Sequence, residues 1–413
     1  MTWSPNPTLT IGGVDYTGRA LETVRITRGR SEIYEEPRAG YLICELIDLE
    51  GTGIPVRSFD TVEFTIDDSA GIPRKIFVGE VSDRTTNLLD AGFEADRTTA
   101  ITTIIAVGPL AKVATRRVAT TGLPAEQDGE RILNLLFQAL AGTWEETGGT
   151  WAQQLGTWDG FDPGFDASTI DQPGTFDIAA LPPLLGGYSA QAEGFITSLS
   201  ALGILWDNRE GRISYADANR RITTDQTDDY LDLPAAVIGT QGLGVLSQAG
   251  DITTDVVVTH PNGTERVIDA SAILEFGRVT RSFSVNLADQ ANAQLWGERY
   301  LVGHSGPVLK LNQLPVRVDL IADDTLRDAL ITLDVNDGIR LIGLPAAVGL
   351  TFRRTFLEGL TWSVDRDRIN VALNLSDAVL SINFQRWSSV VATIRWQDVD
   401  ATLTWQDATI VST

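Results

Sequence analysis

Cysteine and histidine are nearly absent from this chain. Among 413 residues, Cys44 is the one cysteine, and His260 and His304 are the only histidines. A single thiol forms no disulfide within one chain and no thiolate metal cluster. Cys44 falls in the strand-like segment 41–49, where we expect a small buried hydrophobic side chain.

Catalytic motifs are also missing. Neither histidine belongs to a zinc-protease motif, and the chain has no serine-hydrolase elbow and no phosphate-binding loop. His260 precedes the turn segment 261–263, and His304 lies where a predicted helix ends, so we expect structural roles for both. We therefore predict no enzyme activity, no catalytic residue, no cofactor and no metal site.

Basic residues are scarce, with 32 against 55 acidic ones, which gives a formal net charge of -23. This charge repels phosphate backbones and disfavours electrostatic binding of nucleic acid. It suits a surface past which DNA slides, and it equally suits an ordinary solvated exterior. No run of about 18 apolar residues occurs, and the first ten residues lack a secretory pattern. We expect no membrane span, and synthesis in a cytoplasm.

The first part of the chain predicts a small β-rich domain over residues 1–110. Glycine-rich or aspartate-rich turns at 51–53, 67–71 and 90–92 separate short apolar runs, and this spacing suits a barrel or a sandwich. The predicted strands are Ala20–Ile26, Tyr41–Leu49, Val62–Ile66, Lys75–Val81 and Ile101–Val107.

A mixed region over residues 111–275 follows. Apolar residues at helical spacing predict an amphipathic helix ending at Leu140 and a second helix over Ala190–Ala201. The turn Asn208–Gly211 between two apolar runs predicts a hairpin.

A third predicted region, over residues 276–385, contains both strands and helices. Val279–Asn286 predicts a strand, Leu287–Val302 a helix and Val316–Leu320 a returning strand, so we expect a crossover. Further on, the pattern predicts a short helix capped by Asp324, a turn at Asn336-Asp337-Gly338, and a closing hairpin. The hairpin strands are Phe356–Val364 and Ile369–Leu375.

Tryptophan repeats in two places. Trp144, Trp151 and Trp158 recur every seven residues in an insertion over 142–166, where the glycines at 148, 149 and 156 argue against a coiled coil. These rings either bind a glycan or a neighbouring protein, or anchor the insertion to its own domain. The nearby aspartates at 159, 162 and 166 lack EF-hand spacing, so we predict a solvated loop there.

The second repeat is a C-terminal extension over residues 386–413. Trp387, Trp396 and Trp405 lie nine residues apart, and the segment predicts a two-stranded β-like ribbon that is marginal alone in water. We expect this ribbon to dock either on its own barrel or on another protein by edge pairing. All six tryptophans are candidate partner-interface residues.

The order of these elements resembles the tail-hub and minor tail proteins of long-tailed, siphovirus-type bacteriophages. The resemblance rests on the closing strand and helix order, on VRITRGR at 24–30, on Gly40-Tyr41 and on IFVGE at 76–80, and it spans about residues 1–380. It implies a mainly β fold with some α: two small hub-type β-barrels, at 1–110 and 276–385, flanking the mixed α/β region.

The resemblance also implies a function and partners. It suggests a structural virion protein of the baseplate-hub type at the tail tip, forming a ring that closes the tail tube and lets DNA pass without specific binding. Two barrels per chain imply a homotrimer that contacts the distal tail protein, the tail tube and other tip proteins. Two alternatives stay open: a hexameric distal-tail ring, and a carbohydrate-binding or hydrolytic tail-tip protein at the host cell wall.

Overall fold

A computed structural model describes residues 3–20, 23–36, 38–49, 53–88, 99–140, 165–238, 244–247, 249–307, 309–311, 313–345 and 352–380. Strands predominate, and the largest element is a twelve-stranded, mostly antiparallel sheet. The predicted class, mainly β with some α, is confirmed. No helix among these residues is long and apolar enough to cross a membrane.

Seven strands of this sheet come from the first part of the chain, and we call them the N-terminal strand group. Side chains alternate between core and solvent along them, as at Leu42, Cys44 and Leu46, which are all buried. Strands are present at all five predicted places, although the first begins at Val24 and not at the predicted Ala20. The strands are Thr8–Ile11, Val14–Asp15, Val24–Gly29, Arg38–Asp48, Thr61–Asp67, Pro73–Leu88 and Ala100–Val107.

The other five strands form the C-terminal strand group, whose pairings make a closed circuit. Each strand pairs with the next, and Val316 in the last one bridges to Ile238, which lies just beyond the first. In circuit order the strands are Leu231–Pro234, Gly338–Ile342, Phe352–Val364, Ile369–Asp377 and Leu314–Arg317.

One long strand, Phe352–Val364, joins the two groups, and we call it the junction strand. Its first half pairs with Gly338–Ile342, and its second half pairs with Val24–Gly29. Ile26 and Trp362, one from each group, belong to the same buried cluster. The predicted arrangement of two separate barrels is therefore not confirmed, because both groups share one sheet and one core.

The mixed region contains the predicted helices and hairpin. The helices Asp128–Leu140 and Ala190–Ser200 pack on each other, and the hairpin strands Ile204–Asp207 and Ile213–Ala216 are fully buried. Phe165–Ile170 adds a parallel third strand to this hairpin. Short elements complete the region: helices Leu110–Ala114 and Ala218–Gln226, and paired strands Arg117–Val118 with Tyr188–Ser189 and Glu126–Gln127 with Asp177–Ile178.

The predicted crossover near residue 280 is wrong. Strand Thr280–Ser284 pairs in parallel with Asp255–His260, in a separate three-stranded sheet that also contains Gly263–Ile268. Helix Gln290–His304 packs on that sheet, so it does not return the chain to Leu314–Arg317. A short helix, Ala270–Phe276, and a strand pair, Val245–Ser247 with Leu309–Leu311, lie nearby.

Two local details also differ from the prediction. Asp323, not Asp324, caps the short helix Asp324–Thr332, because its carboxylate accepts hydrogen bonds from the backbone N–H groups of Thr325 and Leu326. The predicted strand over 316–320 stops at Arg317 and becomes a 3₁₀ turn. Among the described residues, the 3₁₀ segments are Thr17–Arg19, Ala235–Val237, Ala249–Asp251, Val318–Leu320 and Ala378–Leu380.

Candidate functional site

A buried charge cluster lies where the junction strand changes partners. The strand bulges between Leu357 and Gly359, which turns the Glu358 side chain into the protein. The Glu358 carboxylate accepts hydrogen bonds from Arg30 Nε at 2.7 Å and from Arg221 Nη1 at 2.7 Å. Glu358 is 1% exposed, so we call Arg30, Arg221 and Glu358 the junction cluster.

Polar neighbours complete the junction cluster. Ser376 Oγ donates to Glu358 at 2.5 Å, and Arg221 Nε donates to Asn336 Oδ1 at 2.6 Å. Burial alone would raise the pKa of Glu358, but the two guanidinium groups outweigh it and lower the pKa to about 2. The carboxylate is therefore ionised at neutral pH, and it links the sheet to helix Ala218–Gln226.

Two glycines allow the backbones to meet at this point. Gly29 and Gly359 are register partners, and Gly29 has a φ of 80°. A Cβ on Gly29 would meet the Glu358 carbonyl oxygen and lie 2.7 Å from Gly359 Cα, while a Cβ on Gly359 would lie 2.5 Å from the Arg30 carbonyl oxygen. Only glycine fits both positions, because larger residues would separate the two strands.

A second buried carboxylate joins the hairpin to the N-terminal strand group. Asp207 accepts hydrogen bonds from the backbone N–H groups of Gly40 at 2.8 Å and Leu110 at 2.9 Å. Burial raises the pKa of Asp207 to about 7, and these N–H groups only partly oppose the rise. Nearby, Arg28 donates to Asp334 at 2.5 Å. The hairpin of the mixed region is thus attached to the N-terminal strand group through hydrogen bonds to the Asp207 carboxyl group, whereas the Arg28–Asp334 pair joins that strand group to the turn before Gly338–Ile342.

The cavity beside the junction cluster is small. It has a volume of about 20 Å³ and is lined by Arg30, Arg221 and Arg299 among others. That volume holds about one water molecule and no organic cofactor. Among the residues that the structure describes, no group of three or more His, Cys, Asp or Glu side chains could hold a metal ion.

A larger cleft of about 600 Å³ opens between the mixed region and the C-terminal strand group. Trp206 and Asn208 of the hairpin, Thr224 of helix Ala218–Gln226 and the turn 334–338 are among its lining residues. Most of its lining groups are hydroxyl, amide or carboxylate groups, so the cleft is polar.

The structure does not test the six tryptophans that were predicted as partner-interface residues. Trp144, Trp151, Trp158, Trp387, Trp396 and Trp405 all lie outside the described residues, as do Asp159 and Asp162. Their assignment stays a prediction.

The cysteine and the two histidines occupy the predicted positions. Cys44 is buried, and burial raises the pKa of its thiol to about 12. His260 ends a strand just before a turn. His304 ends its helix, donates from Nδ1 to the Tyr300 carbonyl at 2.8 Å, and has its pKa lowered to about 4 by burial. His304 is therefore neutral at pH 7 and serves packing.

The junction cluster was not predicted from the sequence. A signal was present, because Glu358-Gly359 interrupts an apolar strand, and a charge beside a glycine in such a run is typical of a bulge. The partners could not be found in this way, since Arg30 and Arg221 are distant in sequence.

Comparison with known proteins identifies the fold. No family model matches the chain, and no curated protein matches it. Among solved structures, it is similar to the 43 kDa tail protein of prophage MuSo2 from Shewanella oneidensis, with a TM-score of 0.54 and 12% identity over 91% of this chain and 99% of that one. It is also similar to a tail protein from Neisseria meningitidis, with a TM-score of 0.56 and 11% identity over 92% of this chain and 100% of that one. The chain has the fold of these phage tail proteins, as the sequence resemblance predicted.

Proposed function

We propose that this chain is a structural component of a phage tail and acts by assembly, without catalysis. One observation carries the proposal: the similarity to two tail proteins covers nearly the full length of all three chains. The charged groups at the junction are consistent with it, because they are paired with one another and serve to hold strands and a helix together.

The proposal extends to a place in the tail. We place the chain at the tail tip, as a hub or minor tail protein in a ring that closes the tail tube and lets DNA pass. The two strand groups would then act as the two barrel-type units, near 1–110 and 276–385, with the mixed region between them. The closed circuit of pairings in the C-terminal strand group supports a barrel-type unit near the end of the chain, and this circuit also includes strand Leu231–Pro234 and Ile238 from the mixed region.

Three subunits with two such units each would present six similar faces to a six-fold tube, so we propose a homotrimer. The distal tail protein, the tail tube and other tip proteins would be its neighbours. The net charge of -23 would limit adhesion to passing DNA. The tryptophans of segments 142–166 and 386–413 are the proposed contact residues.

Native mass spectrometry and electron microscopy of the purified chain would test this assignment. A ring of three subunits, and density for the chain at the tip of intact tails, is the expected result. A ring of six subunits would instead favour the distal-tail alternative. A chain that stays monomeric and is missing from purified particles would refute the structural role.

A further inference from the structure

The small cavity beside the junction cluster is lined by three guanidinium groups, from Arg30, Arg221 and Arg299. Asp217 is the one carboxylate among its described lining residues. The Asp217 oxygens are already engaged, because they accept from two backbone N–H groups of the helix that Asp217 caps and from the Thr175 hydroxyl. The lining is therefore positively charged and poor in free side-chain acceptors.

Arg30 supplies donors that no protein group uses. It is 7% exposed, and its Nε donates to Glu358 at 2.7 Å. Its two Nη groups have no hydrogen-bond partner within the described part of the chain, and they retain accessible surface. Because Arg30 lines the cavity, these groups can donate to a particle that occupies it.

Arg299 lines the same cavity and lacks a close anion. Among the described residues, no carboxylate forms an ion pair with it, and its guanidinium carbon lies 5.3 Å from the centre of the Phe176 ring. Its Nη2 makes one long hydrogen bond, of 3.4 Å, to Asn219 Oδ1. Burial lowers the pKa of Arg299, and the charges of Asp217 and Asp128 only partly oppose this effect. A bound anion would supply the missing negative charge.

The backbone around the cavity is strained. Tyr34, Leu202 and Asn336 line it, and their φ angles are 67°, 53° and 78°. They are three of the seven non-glycine residues with a positive φ in the described part of the chain. Such conformations are unfavourable for a residue with a Cβ, and they cluster at ligand sites. The concentration of strain at this cavity therefore favours a binding role over simple packing.

Size and chemistry together select the ligand. A volume of about 20 Å³ admits one particle of about the size of a water molecule, which excludes phosphate, sulfate and carboxylates. Guanidinium groups donate and cannot accept, whereas a water molecule needs acceptors for its own hydrogens. A halide ion accepts only, and it is little larger than water.

We infer that this cavity binds a single chloride ion. The Nη groups of Arg30 would donate to the ion, and the positive charge of Arg299 would balance it. The inference does not depend on the proposed tail role, because it concerns the isolated chain and its failure would leave ring assembly untouched.

Thermal unfolding of the unaltered full-length chain tests the inference. Gluconate is too large for the cavity, so replacing gluconate by chloride at constant ionic strength should raise the Tm by about 2 °C, since a ligand that binds only the folded state stabilises it. Bromide should act as chloride does. Equal Tm values in chloride and gluconate would overturn the inference.

Crystals grown in sodium bromide would locate the ion. The expected result is one anomalous-scattering peak inside the cavity, within hydrogen-bond distance of an Nη atom of Arg30. Bromide peaks confined to the protein surface would mean adventitious ions only, and the inference would be wrong.

Variants connect the stabilisation to this cavity. Arg299→Gln removes the guanidinium that lacks a close anion, so the Tm difference between chloride and gluconate should disappear, whereas Arg299→Lys keeps the charge and should retain part of the difference. The matched control is Arg220→Gln, because Arg220 does not line the cavity and donates to Asp171 at 2.8 Å. This control should show the full difference. An Arg299→Gln variant that responds as the unaltered chain does would place the chloride elsewhere and refute the inference.

Discussion

Replacing Glu358 by glutamine should destabilise the fold strongly. The amide would keep the shape of the side chain but leave Arg30 and Arg221 buried without their negative partner, and breaking such a pair typically costs about 3 to 5 kcal/mol. The lowered pKa gives a similar free energy. A fall in the pKa of Glu358 from 4.5 to about 2 corresponds to about 3 kcal/mol of stabilisation, at 1.36 kcal/mol for each pKa unit. Urea unfolding, followed by tryptophan fluorescence, would measure the loss.

The matched control is Glu63→Gln. Glu63 pairs with Lys75 at 3.3 Å, but both side chains are more than a third exposed, so the expected loss stays below about 1 kcal/mol. The pH dependence adds a second check. Because the folded pKa of Glu358 lies below its ordinary value, its contribution is complete above about pH 4.5 and disappears as the pH falls toward 2. Equal losses in both variants, or a Glu358→Gln loss that does not shrink in acid, would refute the reasoning.

Three further predictions concern other features. Gly29→Ala should lower the free energy of unfolding by more than about 2 kcal/mol, measured by thermal unfolding, because the added Cβ would collide with the opposite strand. The control is Gly13→Ala, where φ is similar but the space around the Cβ is open, and the expected loss is about 1 kcal/mol. Because the pKa of Asp207 is raised to about 7 in the folded protein, ionisation of this group disfavours folding. The free energy of unfolding should therefore fall by up to about 4 kcal/mol between pH 4 and pH 7. The Asp207→Asn variant should not show this fall. Deleting 386–413 should leave the sheet folded, by circular dichroism, yet weaken attachment of a neighbouring tail component in pull-down assays.

Local patterns explain which parts of the fold could be predicted. From Gly40 onward, strand Arg38–Asp48 alternates between buried and partly exposed residues, and helix Asp128–Leu140 presents one apolar face. Both the two-residue and the helical periodicity can therefore be recognised in the sequence. The crossover was predicted wrongly because a strand, a helix and a strand in succession do not say which strands pair. Thr280–Ser284 instead pairs with the earlier strand Asp255–His260.

The site was harder to predict than the fold for a related reason. Glu358, Arg30 and Arg221 come from three distant segments, and their meeting depends on the shared sheet, which no local pattern encodes. Likewise, the bridge between Ile238 and Val316 closes the C-terminal strand group through residues that carry no special signal.

The junction strand has a mechanical consequence. One continuous strand, Phe352–Val364, belongs to both strand groups, and the carboxylate of Glu358 at its bulge is paired with Arg30 and Arg221. The junction strand therefore couples the two strand groups directly, because it pairs with a strand of each within one sheet. Separating the two strand groups would require the backbone hydrogen bonds of this strand to break on one side or the other, so we expect the groups to respond to an applied force together.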